Sequence, residues 1–116
     1  ALEDPYVNVQ INAAEALGQI KSPVAVDPLL GLLTHDEEAV RGAAANALGE
    51  LGDARAREAL VAMVRREERE IAMLRGLQSL AKLGHSGAVR ALQVYGIHRA
   101  DWKEWWRQNK EPLLNR

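Results

Sequence analysis

An internal repeat constrains this chain more than any other feature. Ala13-Ala14-Glu15-Ala16-Leu17-Gly18-Gln19-Ile20, Ala44-Ala45-Asn46-Ala47-Leu48-Gly49-Glu50-Leu51 and Gly76-Leu77-Gln78-Ser79-Leu80-Ala81-Lys82-Leu83 align without gaps. Leu17, Leu48 and Leu80 step by 31 and 32 residues, and so do Leu29, Leu60 and Leu92. Val9-Gln10 matches Val40-Arg41, and Leu2 matches Leu33. A period of this size marks a stack of supersecondary units, none of which can bury its apolar face alone.

Each period reads as two helices. Pro5–Ile20 starts with a proline at the first helical position and Asp4 as its N-cap. Ser22-Pro23 repeats that start signal, and Pro28 tightens the opening turn before Leu29-Leu30 and Leu32-Leu33. Asp36 is placed to cap a helix ending at Leu51; Gly52-Asp53 breaks and recaps a helix running to about Arg66. Glu68–Leu83 follows, then Gly84 as a stop and Ser86 as a cap for a helix to about Tyr95. Asp101 and Glu104 form a capping box for a last helix over Trp102–Asn109. Composition agrees: 19 Ala and 16 Leu against nine Val and no Phe favour helix over strand. At 116 residues the chain is sized for one domain.

The run Val40-Arg41-Gly42-Ala43-Ala44-Ala45-Asn46-Ala47-Leu48-Gly49-Glu50-Leu51-Gly52-Asp53 resembles the HEAT-like repeat found in phycobilin lyases and many bacterial proteins. The resemblance covers residues 2 to about 96 and is weakest in the third unit, where Ile71-Ala72-Met73 replaces the Val-Arg pair. It implies an all-α fold, a short right-handed α-α superhelix of about seven helices whose Val-Arg helices line the concave side. The expected units are 4–34, 35–66 and 67–96, with a capping helix at 97–110 and a tail at 111–116. Because Leu2 falls where a unit's second helix would end, further repeats of a longer array are expected before it.

Chemistry-bearing constellations are sparse. With no cysteine, disulfides, thiolate zinc sites and a cysteine nucleophile are excluded. The HEAT-like deoxyhypusine hydroxylases are similar in their repeat and bind iron through His-Glu pairs; here those positions hold Ile11-Asn12, Gly42-Ala43 and Leu74-Arg75. His35, His85 and His98 are scattered over turns and helix ends, so no metal site is expected. Ser22 and Ser86 read as caps, Ser79 as a seam residue, and Gly84-His85-Ser86-Gly87 as an inter-helix turn. No catalytic residue and no cofactor is expected. No apolar run approaches the roughly 20 residues of a membrane span, and the start lacks the pattern of a signal peptide.

Charge is asymmetric. Residues 1–53 carry 2 basic and 9 acidic side chains, whereas residues 54–84 and 85–116 each carry a surplus of three positive charges. The total of −1 lacks the basic footprint of a nucleic-acid binder, despite a superficial likeness of Trp102, Asp101 and Arg107 to a HEAT-like DNA glycosylase. Arg65-Arg66-Glu67-Glu68-Arg69-Glu70 alternates sign and reads as a solvated junction.

Two surfaces stand out. Trp102, Trp105 and Trp106 share one helix face and are expected to cap the end of the stack. On the Val-Arg helices, in-frame positions form the polar ladders Asn12/Ala43/Arg75, Glu15/Asn46/Gln78 and Gln19/Glu50/Lys82. Ile11, Gly42 and Leu74 form a fourth row, with the glycine leaving a shallow dip. Polar groups around a small apolar depression suit recognition of a peptide or protein segment. A scaffold role is therefore expected; likeness alone also raises action on a bilin chromophore, and HEAT-like relatives raise nucleic-acid binding.

Overall fold

The computed structural model describes residues 5–115. The expected Asp4 cap and the Leu2 match lie outside them. Among the described residues there are seven α-helices and no strand: α1 (Pro5–Ile20), α2 (Val26–Leu32), α3 (Glu38–Leu51), α4 (Arg57–Arg66), α5 (Glu70–Lys82), α6 (Ser86–Ile97) and α7 (Trp102–Leu114). Single 3₁₀ turns at Pro23–Ala25, Ala54–Ala56 and Arg99–Asp101 lead into α2, α4 and α7.

The first helix of each unit ends the same way. Lys21, Gly52 and Gly84 occupy equivalent positions and have positive φ, at 58°, 67° and 87°. A left-handed residue stops the helix and frees the chain to reverse; glycine takes it without strain, while Lys21 takes it at a cost of about 1 kcal/mol.

Helices α1, α3 and α5 stack side by side; α2 packs on α3, α4 on α5, and α6 on α5 and α7. The molecule is a slab of 36 × 36 × 20 Å, two helix layers thick. The stack is in register, because small residues recur at each crossing. A Cβ on Gly18 would meet Ala47 at 3.0 Å, and one on Gly49 would meet the Cα of Ser79 at 3.0 Å. Ser79, buried at an alanine position, donates its hydroxyl proton to the Ala45 carbonyl across that crossing. Between the layers Leu29, Leu33, Leu48, Leu60, Met63, Leu77 and Leu80 are fully buried. Each contributes about 1.5–3 kcal/mol through the apolar area withdrawn from water.

Several helix ends depart from expectation. Asp53 does cap, accepting the Arg55 N–H at 2.9 Å. Asp36 does not: α3 begins at Glu38, and His35 Nδ1 accepts the Glu37 N–H at 3.0 Å. The Ser22 hydroxyl makes no cap bond. Ser86 is the first residue of α6 rather than its cap, a role filled by His85, whose Nδ1 accepts the Ala88 N–H at 3.1 Å. Asp101 ends a 3₁₀ turn at φ −104°, ψ 4°, outside the extended conformation a capping side chain needs, so the box with Glu104 does not form. Glu104 instead binds Arg107 and Gln108.

The last helix is longer than expected. It passes Asn109 and Pro112 to Leu114, so the supposed tail is largely helical. Leu113 and Leu114 are buried, and the Leu114 carbonyl meets the Nε2 of buried His85 at 3.1 Å. This packing outweighs the one helical hydrogen bond that Pro112 cannot make.

Candidate binding face

A depression of about 290 Å³ opens where α1, α3 and α5 lie adjacent. Ile11, Ala39, Ala43 and Ile71 supply its apolar wall, and Glu15, Glu38, Asn46 and Arg75 its polar groups. Gly42 completes it, for a structural reason: a Cβ there would lie 2.8 Å from the Arg75 Cδ. The glycine lets the Arg75 stem lie across α3. Its guanidinium is exposed and has no hydrogen bond or ion pair among the described residues, although Glu15 and Glu38 share the depression. Such a group offers a charged, planar donor fork to whatever enters.

Glu15 and Asn46 also border a continuing groove with Gly18, Gln19, Ala47 and Glu50. There Lys82 Nζ donates to Glu50 Oε1 at 3.0 Å, a link across the third ladder between exposed side chains. Of the residues singled out from sequence, Ile11, Glu15, Gly42, Asn46 and Arg75 line the depression, and Gln19 and Glu50 the groove. Asn12 and Gln78 are exposed but line neither.

Leu74 is misplaced by the sequence reading. The Ile11/Gly42/Leu74 row is the side each first helix turns toward the next unit: Gly42 faces Ala72 and Arg75 of α5. By the same step Leu74 lies on the side of α5 away from α3, half-buried and outside the depression. The residues missed are Glu38, Ala39 and Ile71, the last 65% exposed. Ala39 and Ile71 belong to an Asn8/Ala39/Ile71 ladder one turn before Asn12/Ala43/Arg75, so the same frame could have found them.

The sign-alternating run is not a solvated junction throughout. Glu67 is buried, and its carboxylate receives Arg41 Nε at 2.8 Å and Nη2 at 3.0 Å. Its Oε1 also accepts the Arg69 N–H at 3.1 Å. Arg41 Nη1 donates to the His35 and Asp36 carbonyls at 2.7 and 2.9 Å. One ion pair thus ties the loop before α3 to the loop before α5. Burial pushes the Glu67 carboxyl upward, but the hydrogen bonds from Arg41 and the Arg69 N–H prevail and hold it below the usual glutamate range. The same pairing raises Arg41.

The tryptophans divide. Trp102 and Trp106 are buried and stacked at 5.3 Å; Tyr95 meets Trp102 edge-on at 5.4 Å, and Trp102 Nε1 donates to the Ala91 carbonyl at 3.0 Å. Trp105 is half-buried. Among the described residues, no three of His, Asp or Glu are grouped to hold a metal ion, and no helix is long and apolar enough to cross a membrane.

No curated protein matches the chain. A family model described as HEAT repeats matches residues 1–81, which include the glycine crossings between α1, α3 and α5 and the depression. The stacked helix pairs in register, repeating here every 31–32 residues, agree with that match, and the chain belongs to the HEAT-repeat family.

Proposed function

We propose that the α1–α3–α5 face is a protein-interaction surface that takes up a peptide or protein segment. HEAT repeats generally serve as protein-interaction scaffolds, and the helices that carry this face pack closely at the glycine crossings. A backbone already helical lowers the ordering cost of binding to that of the side chains. The observation that carries the reading is the depression with Arg75 in it. An arginine stem lies over a glycine, its guanidinium makes no contact that the fold requires, and exposed Ile71 stands beside it. Apolar wall and charged rim together match the anatomy of a binding patch.

The test is selection of a displayed random-peptide library on the purified chain, repeated with Arg75→Glu and Asn46→Ala/Ile71→Ser. These residues are half-buried or exposed, so the variants should keep the parent's melting temperature. Peptides enriched on the parent should lose binding to both variants. Equal binding to parent and variants would reject this face.

A further inference from the structure

A row of cations runs along α7. Lys103, Arg107 and Lys110 are spaced at i, i+4 and i+7, so they share one side of the helix over about 10 Å. The helix gains nothing from them. Like charges three and four residues apart repel, and Lys103 sits in the first turn, at the positive end of the helix dipole. The exposed Arg107–Glu104 pair at 2.8 Å offsets little of this. A row that local electrostatics disfavours points to a use outside the helix.

The row borders a cleft of about 370 Å³ between α7 and the start of α5 with the loop before it. Met73 and Trp106, both almost fully buried, form its apolar floor. A low-dielectric floor beneath charges of one sign concentrates their potential in the cleft. Two carboxylates stand opposite. Glu67 is already committed to Arg41, and Glu68 makes no hydrogen bond or ion pair among the described residues. Lys103 has no partner among them either. Lys110 gives one of its three ammonium protons to the Arg65 carbonyl at 3.2 Å and keeps two to donate.

We propose that this cleft binds an acidic peptide segment whose carboxylates lie on Lys103, Arg107 and Lys110. Along α7 the three cations rise by about 6 and about 4.5 Å. That spacing matches carboxylates three and four residues apart on a helix, or on alternate residues of an extended segment, about 6.6 Å apart. So short a row, with Glu68 at its rim in a chain of net charge −1, suits a few carboxylates and not a nucleic-acid backbone. The cleft shares no lining residue with the depression between α1, α3 and α5, and either site can stand without the other.

The test is fluorescence anisotropy with a fluorescein-labelled peptide of three Leu-Glu-Glu repeats, its Leu-Gln-Gln counterpart and a labelled oligouridylate, each titrated with the chain at low and high salt. Light scattering gives the mass of the chain. The acidic peptide should bind saturably and more weakly as salt rises, and the glutamine peptide should not bind. Lys103→Glu/Arg107→Gln should weaken binding at least about tenfold, since it sets a like charge against the ligand. The same variant should melt no lower than the parent, because it relieves the repulsion within α7 and places an anion in its first turn. Arg75→Glu, a charge reversal on the other face, should bind the acidic peptide nearly as the parent does. No saturation up to about 1 mM chain, an unchanged affinity in the α7 variant or an equal loss in Arg75→Glu overturns the proposal. Tighter binding of the oligouridylate overturns it too, as does a dimer that the α7 variant dissociates, since the cleft would then hold a second copy.

Discussion

Replacing Glu67 with alanine should destabilise the chain far more than a surface charge does. The Glu67 side chain is 4% exposed and that of Arg41 16%, so the substitution leaves a largely desolvated guanidinium with two carbonyl acceptors and no counter-charge. It also removes the acceptor of the Arg69 N–H. Breaking a buried pair from one side costs about 3–5 kcal/mol. The two carbonyls retained by Arg41 place the loss near the lower end, about 3 kcal/mol, or a fall in Tm of roughly 10 °C for a chain of this length. Urea denaturation followed by circular dichroism gives the number. Arg41→Met/Glu67→Met should recover most of it, because a buried pair exchanged for apolar bulk is often neutral. A loss below about 1 kcal/mol for Glu67→Ala, the range of exposed pairs, would refute the reasoning. The pH dependence has a definite sign. The folded pKa of Glu67 lies below its unfolded value, so its contribution is complete above the ordinary glutamate pKa of about 4.3 and disappears as pH falls through the folded one. The stability gap between the parent and Glu67→Gln should therefore close below about pH 4.

Trp102→Ala should cost about 3–5 kcal/mol, because it empties a fully buried site and removes the indole hydrogen bond to the Ala91 carbonyl; half-buried Trp105→Ala should cost roughly half as much or less, both read from urea midpoints. Gly87→Ala drives a Cβ into the Leu113 carbonyl, so the end of α7 must leave α6. Losing the burial of Leu113 and Leu114 and the His85–Leu114 bond should cost about 3 kcal/mol or more, with fast amide exchange confined at first to the last turn of α7.

The repeat made the architecture legible because its spacing reports two requirements at once: leucines that fill the layer between helices and small residues where helices cross. Ala47, Gly18 and Gly49 are where the 31- and 32-residue steps place them. Helix ends were less legible. A cap depends on local φ and ψ, which Asp101 lacks and Asp53 has, and a histidine can replace a serine once it is buried, as His85 does. Glu67 was hidden for a related reason. In an alternating charge run nothing local distinguishes the one carboxylate that meets an arginine 26 residues away. The candidate face was legible as ladders, since in-frame residues of α1, α3 and α5 do lie side by side. Its exact rim was not: Glu38, Ala39 and Ile71 lie about one turn before the ladder positions, and Leu74, one residue from Arg75, is turned about 100° from it around the helix.

The central claim is that first helices touch through small residues in register. Glycine-to-alanine changes at two positions, compared by urea denaturation, test it most directly. Gly31 in α2 has open space around its missing Cβ, so Gly31→Ala should stabilise by about 0.5–1 kcal/mol through helix propensity. At Gly49 the new methyl meets the Ser79 Oγ at 2.5 Å and its Cα at 3.0 Å, so α3 and α5 must separate and the Ser79–Ala45 bond is lost. Gly49→Ala should destabilise by about 2 kcal/mol. A Gly49→Ala variant as stable as Gly31→Ala would contradict the stacked, in-register contact on which the binding face depends.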